Sequence, residues 1–176
     1  MNIRRATADD APKLARVHVD SWQVAYRGIV PDSHLERFTY QRREEAFRHA
    51  LTANLEETYL IEDGDQAVGI LTIGASRDTD LDASRTGEIW GIYITPTYWR
   101  QGVGTLLVYE AERILRSRHY KDVVLWVLAD NKDARRFYEK MGFAVDGMSK
   151  LVELGQPLTA IRYKKSLIAA SDLSTR

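Results

Sequence analysis

The stretch that decides the fold is IYITPTYWRQGVGTLL, residues 92–107. Its alternating apolar residues predict a strand that ends before Pro96, because proline cannot continue a central hydrogen-bond ladder. The apolar spacing after Gly104 predicts a helix. Between them, a glycine-bearing loop would leave backbone N–H groups free at the start of the helix, and Arg100 adds a positive charge. The stretch therefore predicts a strand–loop–helix unit that binds a phosphate-bearing ligand.

The paired glycines alone are a weak signal, because such a pair often does no more than shape a tight turn. A P-loop is excluded, since no Gly-Lys-Ser/Thr follows at the required spacing. A dinucleotide-binding fingerprint is excluded as well, because Leu107 stands at its third glycine position. Two common nucleotide-binding folds are thus ruled out.

A second stretch, NKDARRFYEKMGF at residues 131–143, follows a predicted buried strand. The two stretches together resemble the GNAT superfamily of N-acetyltransferases. Gly102 and Gly104 match its acyl-CoA loop, Arg/Gln-x-x-Gly-x-Gly/Ala, and residues 131–143 match its Asn-x-x-Ala-x-x-Phe-Tyr-x-x-x-Gly-Phe motif. Trp99 departs from the Arg/Gln position of the loop, although Arg100 beside it could supply the charge. The resemblance covers about residues 2–165.

The remaining hydrophobic pattern predicts the order β-α-α, an antiparallel hairpin, then β-α-β-α-β-β. This order indicates an α/β (mixed α+β) fold, with a mixed central sheet of about six to seven strands flanked by about four helices. The resemblance implies the three-layer GNAT fold. We expect one domain over residues 1–165 and a flexible tail over 166–176. Gly91 within a strand predicts a bulge, and a ligand crevice is expected where strand pairing changes.

Composition limits the classes of function. The 176 residues carry 25 basic and 25 acidic side chains and no cysteine, so neither nucleic acid nor an anionic membrane surface is an expected partner. No segment approaches the ~20 apolar residues of a membrane span, and the cytoplasm is the expected location. The histidines show no metal-ligand spacing, so no metal is predicted: His18, His34, His49 and His119.

The resemblance implies that acetyl-CoA is the co-substrate. It implies that the pantetheine arm binds the backbone of Tyr93 and Ile94, with Asn131 on the other side. Tyr138 would be the general acid that protonates the departing sulfur, with core packing as the alternative. The residues expected to hold the pyrophosphate are Arg100, Gln101, Gly102, Val103, Gly104 and Thr105.

An acceptor amine must lose a proton before it can attack, and Glu88 is the candidate general base. The alternative is an exposed glutamate at a strand edge, with Asp78, Asp80 and Asp82 as other candidate carboxylates. The acidic loop favours a cationic primary amine, although such a loop could simply be solvated and mobile. The acceptor pocket or the core would contain Trp22, Tyr26 and Trp90.

The predicted function is transfer of an acetyl group from acetyl-CoA to a primary amine of a small molecule or peptide. The alternative is an acyl-CoA-binding sensor without turnover. A homodimer is left open.

Overall fold

The computed structural model describes residues 1–168, which form a seven-stranded mixed sheet with helices on both faces. The strands are β1 (Asn2–Arg5), β2 (Glu57–Asp63), β3 (Gln66–Ala75), β4 (Thr86–Ile94), β5 (Asp122–Leu128), β6 (Ala144–Glu153) and β7 (Pro157–Ser166). The helices are α1 (Ala11–Ala25), the single turn α2 (Asp32–Leu35), α3 (Tyr40–Thr52), α4 (Val103–Ser117) and α5 (Lys132–Lys140). The predicted mixed α/β fold is confirmed.

The strand order is β1-β2-β3-β4-β5-β7-β6, and only β4 and β5 pair in parallel. Helices α4 and α5 cover one face of the sheet, where Leu107 and Leu125 join the largest apolar cluster. Helices α1 and α3 cover the other face, where Leu14 and Phe47 pack on Leu60 and Ile70. Alternate residues of a strand serve opposite faces, so the central strands contribute to both cores.

The predicted bulge lies in β4. Thr72 of β3 pairs with Gly91, while Ile73 pairs with Ile89, so Trp90 is the extra residue. An extra residue bends the strand and re-aims the side chains beside it. The bulge thereby sets how the second half of β4 approaches the ligand crevice.

The crevice opens where β4 and β5 separate. Their parallel ladder runs only from Thr86 and Asp122 to Ile89 and Leu125. Beyond that ladder the two strands no longer pair, while β4 continues to Ile94. The change in strand pairing, beside which a crevice was expected, thus lies between β4 and β5.

At the end of the described chain, Ser166 still belongs to β7 and Leu167 is buried in the larger core cluster. The Leu167 N–H also donates to the Lys121 carbonyl at 2.8 Å. The rest of the predicted tail, residues 169–176, lies outside the described residues. Within residues 1–168, no helix has the length and apolar character needed to cross a bilayer.

Candidate active site

The loop before α4 leads into a helix start whose first backbone N–H groups have no partner within the helix. Gly102 caps the helix with φ at 83° and Arg100 also has a positive φ, 60°. After the loop, the Leu106 N–H donates to the Gly102 carbonyl at 3.1 Å, which closes the first turn of α4. The N–H groups of residues 103–105 belong to the first turn, where an α-helix supplies no partners. This end of α4 therefore has the geometry and dipole of an anion site.

The two glycines of the loop have different structural roles. Around Gly102 a Cβ would meet nothing within 4 Å, so this position is open. At Gly104 a Cβ would lie 3.0 Å from Cζ of Phe137 and 3.2 Å from Cδ1 of Ile94. Gly104 is thus needed for the close packing of α4 on α5 and β4, a reason that the sequence pattern did not reveal.

Trp99, the residue that departs from the family pattern, contacts the end of β4. Its indole Nε1 donates to the Ile94 carbonyl at 2.7 Å. The neighbouring Thr95 N–H donates to Val68 on β3, and strand amides alternate in direction. The Ile94 N–H therefore points away from β3, toward the gap between β4 and β5.

Tyr138 is buried in α5, with its ring 5.1 Å from Phe137 and 5.8 Å from Phe143. Burial raises the pKa of Tyr138 above its ordinary value, and Tyr93 adds to the shift. Burial likewise raises the pKa of Tyr26, with Tyr93 and Tyr138 as contributing neighbours. Burial thus favours the protonated form of both phenols, and a protonated phenol can donate a hydrogen bond.

Asn131 is the N-cap of α5. Its side-chain oxygen accepts from the Ala134 N–H at 3.2 Å, which positions the first turn of the helix that carries Tyr138. The side-chain NH₂ group interacts with the Tyr26 phenol and partly opposes the rise of its pKa.

Glu88 is buried, with 2% of its side chain exposed, rather than lying at an open strand edge. It accepts from the Arg77 backbone N–H at 2.9 Å and pairs with the Arg77 guanidinium at 2.5 Å. That guanidinium also lies 4.4 Å from the ring centroid of Trp90. Arg77 neutralises Glu88 and leaves fewer carboxylate lone pairs for accepting a substrate proton.

The acidic loop before β4 is anchored rather than free. Arg162, 3% exposed, donates to Asp80 at 2.7 and 2.8 Å, to Asp78 at 3.1 Å and to Asp146 at 2.7 Å. The Trp126 indole donates to Asp78 at 3.0 Å. Three aspartates were expected to attract a cationic substrate. Two of them, Asp78 and Asp80, are therefore already paired with the buried Arg162 guanidinium.

The third aspartate of the loop, Asp82, contacts its neighbour Ser84. Its carboxylate accepts from the Ser84 N–H at 2.9 Å and from the Ser84 hydroxyl at 2.6 Å. It therefore stabilises the turn that leads into β4.

A cavity of about 150 Å³ lies beside the bulge of β4. Its walls come from α1, α3, β3 and β4, and they comprise His18, Arg43, Phe47, Glu56, Thr72, Arg77, Trp90, Gly91 and Tyr93. Of the aromatic residues expected in an acceptor pocket, Trp90 lines this cavity, whereas Trp22 is stacked on Phe38 at 4.1 Å. A larger cleft of about 340 Å³ lies at the start of α1 and the β2–β3 turn, away from Glu88.

Sequence reasoning missed three arginines of this region: Arg43, Arg77 and Arg162. Arg77 and Arg162 bind carboxylates of other elements, whereas Arg43 contacts Phe47 of its own helix and Phe38 just before it. Across residues 1–168 no cluster of three or more potential metal ligands is found.

A mixed sheet that opens between two parallel strands, with the start of a glycine-capped helix beside the opening, defines an acyltransferase of the acetyl-CoA type. The family described as "Acetyltransferase (GNAT) family" matches residues 18–143, and the chain belongs to this family. Membership supports acetyl-CoA as the acetyl donor.

Curated relatives and solved structures agree with this assignment. The chain is 30% identical over 141 residues to an uncharacterised N-acetyltransferase of Archaeoglobus fulgidus, covering 78% of this chain and 89% of that protein. It is 26% identical over 153 residues to a spermidine N(1)-acetyltransferase of Thermoplasma acidophilum, covering 83% and 89%. Its fold matches the PaiA N-acetyltransferase of T. acidophilum, solved with coenzyme A, with a TM-score of 0.71 at 21% identity, covering 94% and 98%.

Proposed function

We propose that this protein transfers the acetyl group of acetyl-CoA to a primary amine of a small molecule or peptide. The observation that carries the proposal is the start of α4, where the first-turn amides and the open Gly102 lie at the end of β4, next to the strand separation. A pyrophosphate bound there by residues 100–105 would direct the pantetheine arm along the gap, between the backbone of Tyr93 and Ile94 and the side chain of Asn131.

The residues at the gap have complementary roles in this proposal. Glu88 takes the proton of the incoming ammonium group, through water because Arg77 already binds the carboxylate. The Ile94 N–H donates to the carbonyl oxygen as the new C–N bond forms and negative charge develops there. Tyr138 donates its proton to the sulfur as the C–S bond breaks, and the second proton lost by the nitrogen restores the phenol. The products are the N-acetylated amine and coenzyme A.

Two features support a catalytic domain over an acyl-CoA sensor without turnover. Burial keeps the Tyr138 phenol protonated and hence able to donate, and Glu88 provides a fixed carboxylate on the same strand as the gap. A domain that only binds the coenzyme would need neither group. Asp78 and Asp80 are less suitable as bases, because Arg162 already binds both carboxylates.

The cofactor site is tested by Thr105→Glu, with Thr105→Gln as the control of equal size. Thr105 is the third residue of α4, where a carboxylate interacts favourably with the helix dipole. The glutamate should therefore leave the melting temperature unchanged or raised while repelling a pyrophosphate, so that coenzyme A affinity falls by about tenfold or more. Coenzyme A affinity is measured by calorimetry. Equal affinity in the two variants would show that the pyrophosphate does not bind this loop.

Turnover is tested by coenzyme A release from acetyl-CoA in the presence of a panel of primary amines and N-terminal peptides. Amine-dependent release supports the transferase. Tight acetyl-CoA binding with no release over the whole panel favours the sensor.

A further inference from the structure

Arg43 of α3 lines the cavity beside the β4 bulge and lacks a polar partner. Within residues 1–168, its guanidinium makes no hydrogen bond or ion pair, and its Nε is buried without a partner. Its contacts are with aromatic rings, 4.9 Å from the Phe47 centroid and 5.8 Å from that of Phe38. Arg43 is half-buried, and a partly desolvated guanidinium without a carboxylate partner gains from binding an anion.

The other charges at the cavity do not meet that need. The second cation, Arg77, is neutralised by Glu88. Glu56 accepts from the Thr58 hydroxyl at 3.1 Å and forms no ion pair with Arg43 within the described chain. Burial lowers the pKa of Arg43, and the more distant Glu56 only partly opposes the shift. Arg43 is therefore the cation at this cavity that has no carboxylate partner within the described chain.

The rest of the cavity suits a short carbon chain carrying a polar end. The rings of Phe47, Trp90 and Tyr93 supply apolar walls. The Nδ1 atom of His18 is a second buried polar atom without a partner. A volume of about 150 Å³ admits a molecule of roughly the size of benzene.

The cavity also lies on the route to the reacting groups. Tyr93 faces His18, with ring centroids 4.2 Å apart. Trp90, Gly91 and Tyr93, which line the cavity, belong to the part of β4 beyond its ladder with β5. A molecule held by Arg43 would thus reach toward the gap between β4 and β5.

We propose that the acceptor is a small amino carboxylate whose carboxylate binds the Arg43 guanidinium while its amine extends toward Glu88. The inference rests on the proposed acetyl transfer and names the substrate class of that same site. A planar guanidinium fork matches a carboxylate with two parallel hydrogen bonds. A polyamine gains less here, because Glu88, Asp78 and Asp80 are already paired with arginines.

The test compares alanine, β-alanine and 4-aminobutyrate with their primary amides and with spermidine. We expect higher kcat/KM for one or more of the amino carboxylates than for its amide. Arg43→Gln should raise KM for the preferred amino carboxylate by on the order of 10- to 100-fold, the range for a lost charged hydrogen bond, and leave the amide unchanged. Arg43→Lys should give an intermediate KM, because it keeps the charge and loses the fork.

The matched control is Arg42→Gln, which removes an exposed arginine of the same helix. Its kinetics should equal those of the wild type. The melting temperature of Arg43→Gln without ligand should be unchanged or raised, since the substitution removes an unpaired guanidinium. A marked fall, with equal KM changes for acids and amides, would make Arg43 a packing residue and overturn the inference.

The outcomes separate this inference from the proposed function. If coenzyme A is released but the enzyme prefers the amides or spermidine, the amino-carboxylate class is overturned and the proposed acetyl transfer is supported. The amino carboxylates could instead raise the melting temperature in an Arg43-dependent way without any coenzyme A release. That result would support the carboxylate site and overturn the proposed transferase function. If coenzyme A is not released and the amino carboxylates do not stabilise the protein, both the inference and the proposed function are overturned.

Discussion

Replacing Arg162 by methionine should detach the acidic loop from the sheet. The arginine lies in β7 with 3% of its side chain exposed, and it binds Asp78, Asp80 and Asp146 at once. Methionine can occupy much of the volume of the side chain but neutralises none of the three carboxylates. The loop of residues 76–85 would then lose its main anchor on β7.

The size of the effect follows from how well each carboxylate can regain water. Removing one partner of a buried ion pair costs about 3–5 kcal/mol. The side chain of Asp80 is already 45% exposed and can rehydrate, whereas those of Asp78 and Asp146 are only 13% and 18% exposed. The free energy of unfolding should therefore fall by about 3 kcal/mol, the lower end of that range.

The matched control is Arg136→Met. Arg136 pairs with Asp133 at the surface, with side chains 68% and 85% exposed, and its loss should change the free energy of unfolding by less than about 0.5 kcal/mol. Both variants are measured by urea unfolding followed through tryptophan fluorescence. Amide hydrogen exchange over residues 76–85 reports the loop directly, and it should accelerate only in Arg162→Met.

Adding Asp146→Asn to Arg162→Met should recover part of the lost stability, since it removes one of the two poorly exposed carboxylates left without a cation. A loss below about 1 kcal/mol in Arg162→Met, together with loop exchange as slow as in the wild type, would refute the reasoning. The loop would then be held by other contacts.

Two further predictions concern single side chains. Tyr138→Phe should keep coenzyme A affinity but lower kcat by a factor of about 10²–10⁴, since the ring still packs while the proton donor is lost; an unchanged pH–rate profile on a verified acceptor would reduce Tyr138 to a packing residue. Burial lowers the pKa of His18 from 6.5 to about 3, so its stabilising contribution is complete above pH 6.5 and decreases as the pH falls toward 3. The free energy of unfolding should decrease by about 2 kcal/mol between pH 7.5 and 5 through this group, and His18→Gln should remove that dependence while His49→Asn, at an exposed site, should not.

The fold could be predicted because its determinants are local in the sequence. The apolar spacing after Gly104 indicated where α4 begins, and Pro96 and Gly91 indicated the end of β4 and its bulge. The insertion of β7 between β5 and β6 was less accessible, since an antiparallel closing pair does not specify which of its strands joins the sheet.

The candidate site was harder to predict, because charge pairing joins distant residues. The cluster of Asp78, Asp80 and Asp82 indicated an attractive field for cations, yet the cation that binds two of them is 82 or more positions away. Arg43 gave no signal either, since an arginine on a polar helix is indistinguishable in sequence from a solvated one. Its meaning depends on the absence of a polar partner in the described fold.

The gap between β4 and β5 bears on how such an enzyme can diversify. The ladder between these strands covers four residue pairs, and the groups beyond it that would hold the pantetheine arm are backbone N–H and C=O groups, which nearly every amino acid supplies. Mutation can therefore alter the side chains around the acceptor cavity, Arg43 and Trp90 among them, while the geometry for the donor is inherited with the backbone. Natural variation would then change which amine is modified far more readily than which acyl carrier is used.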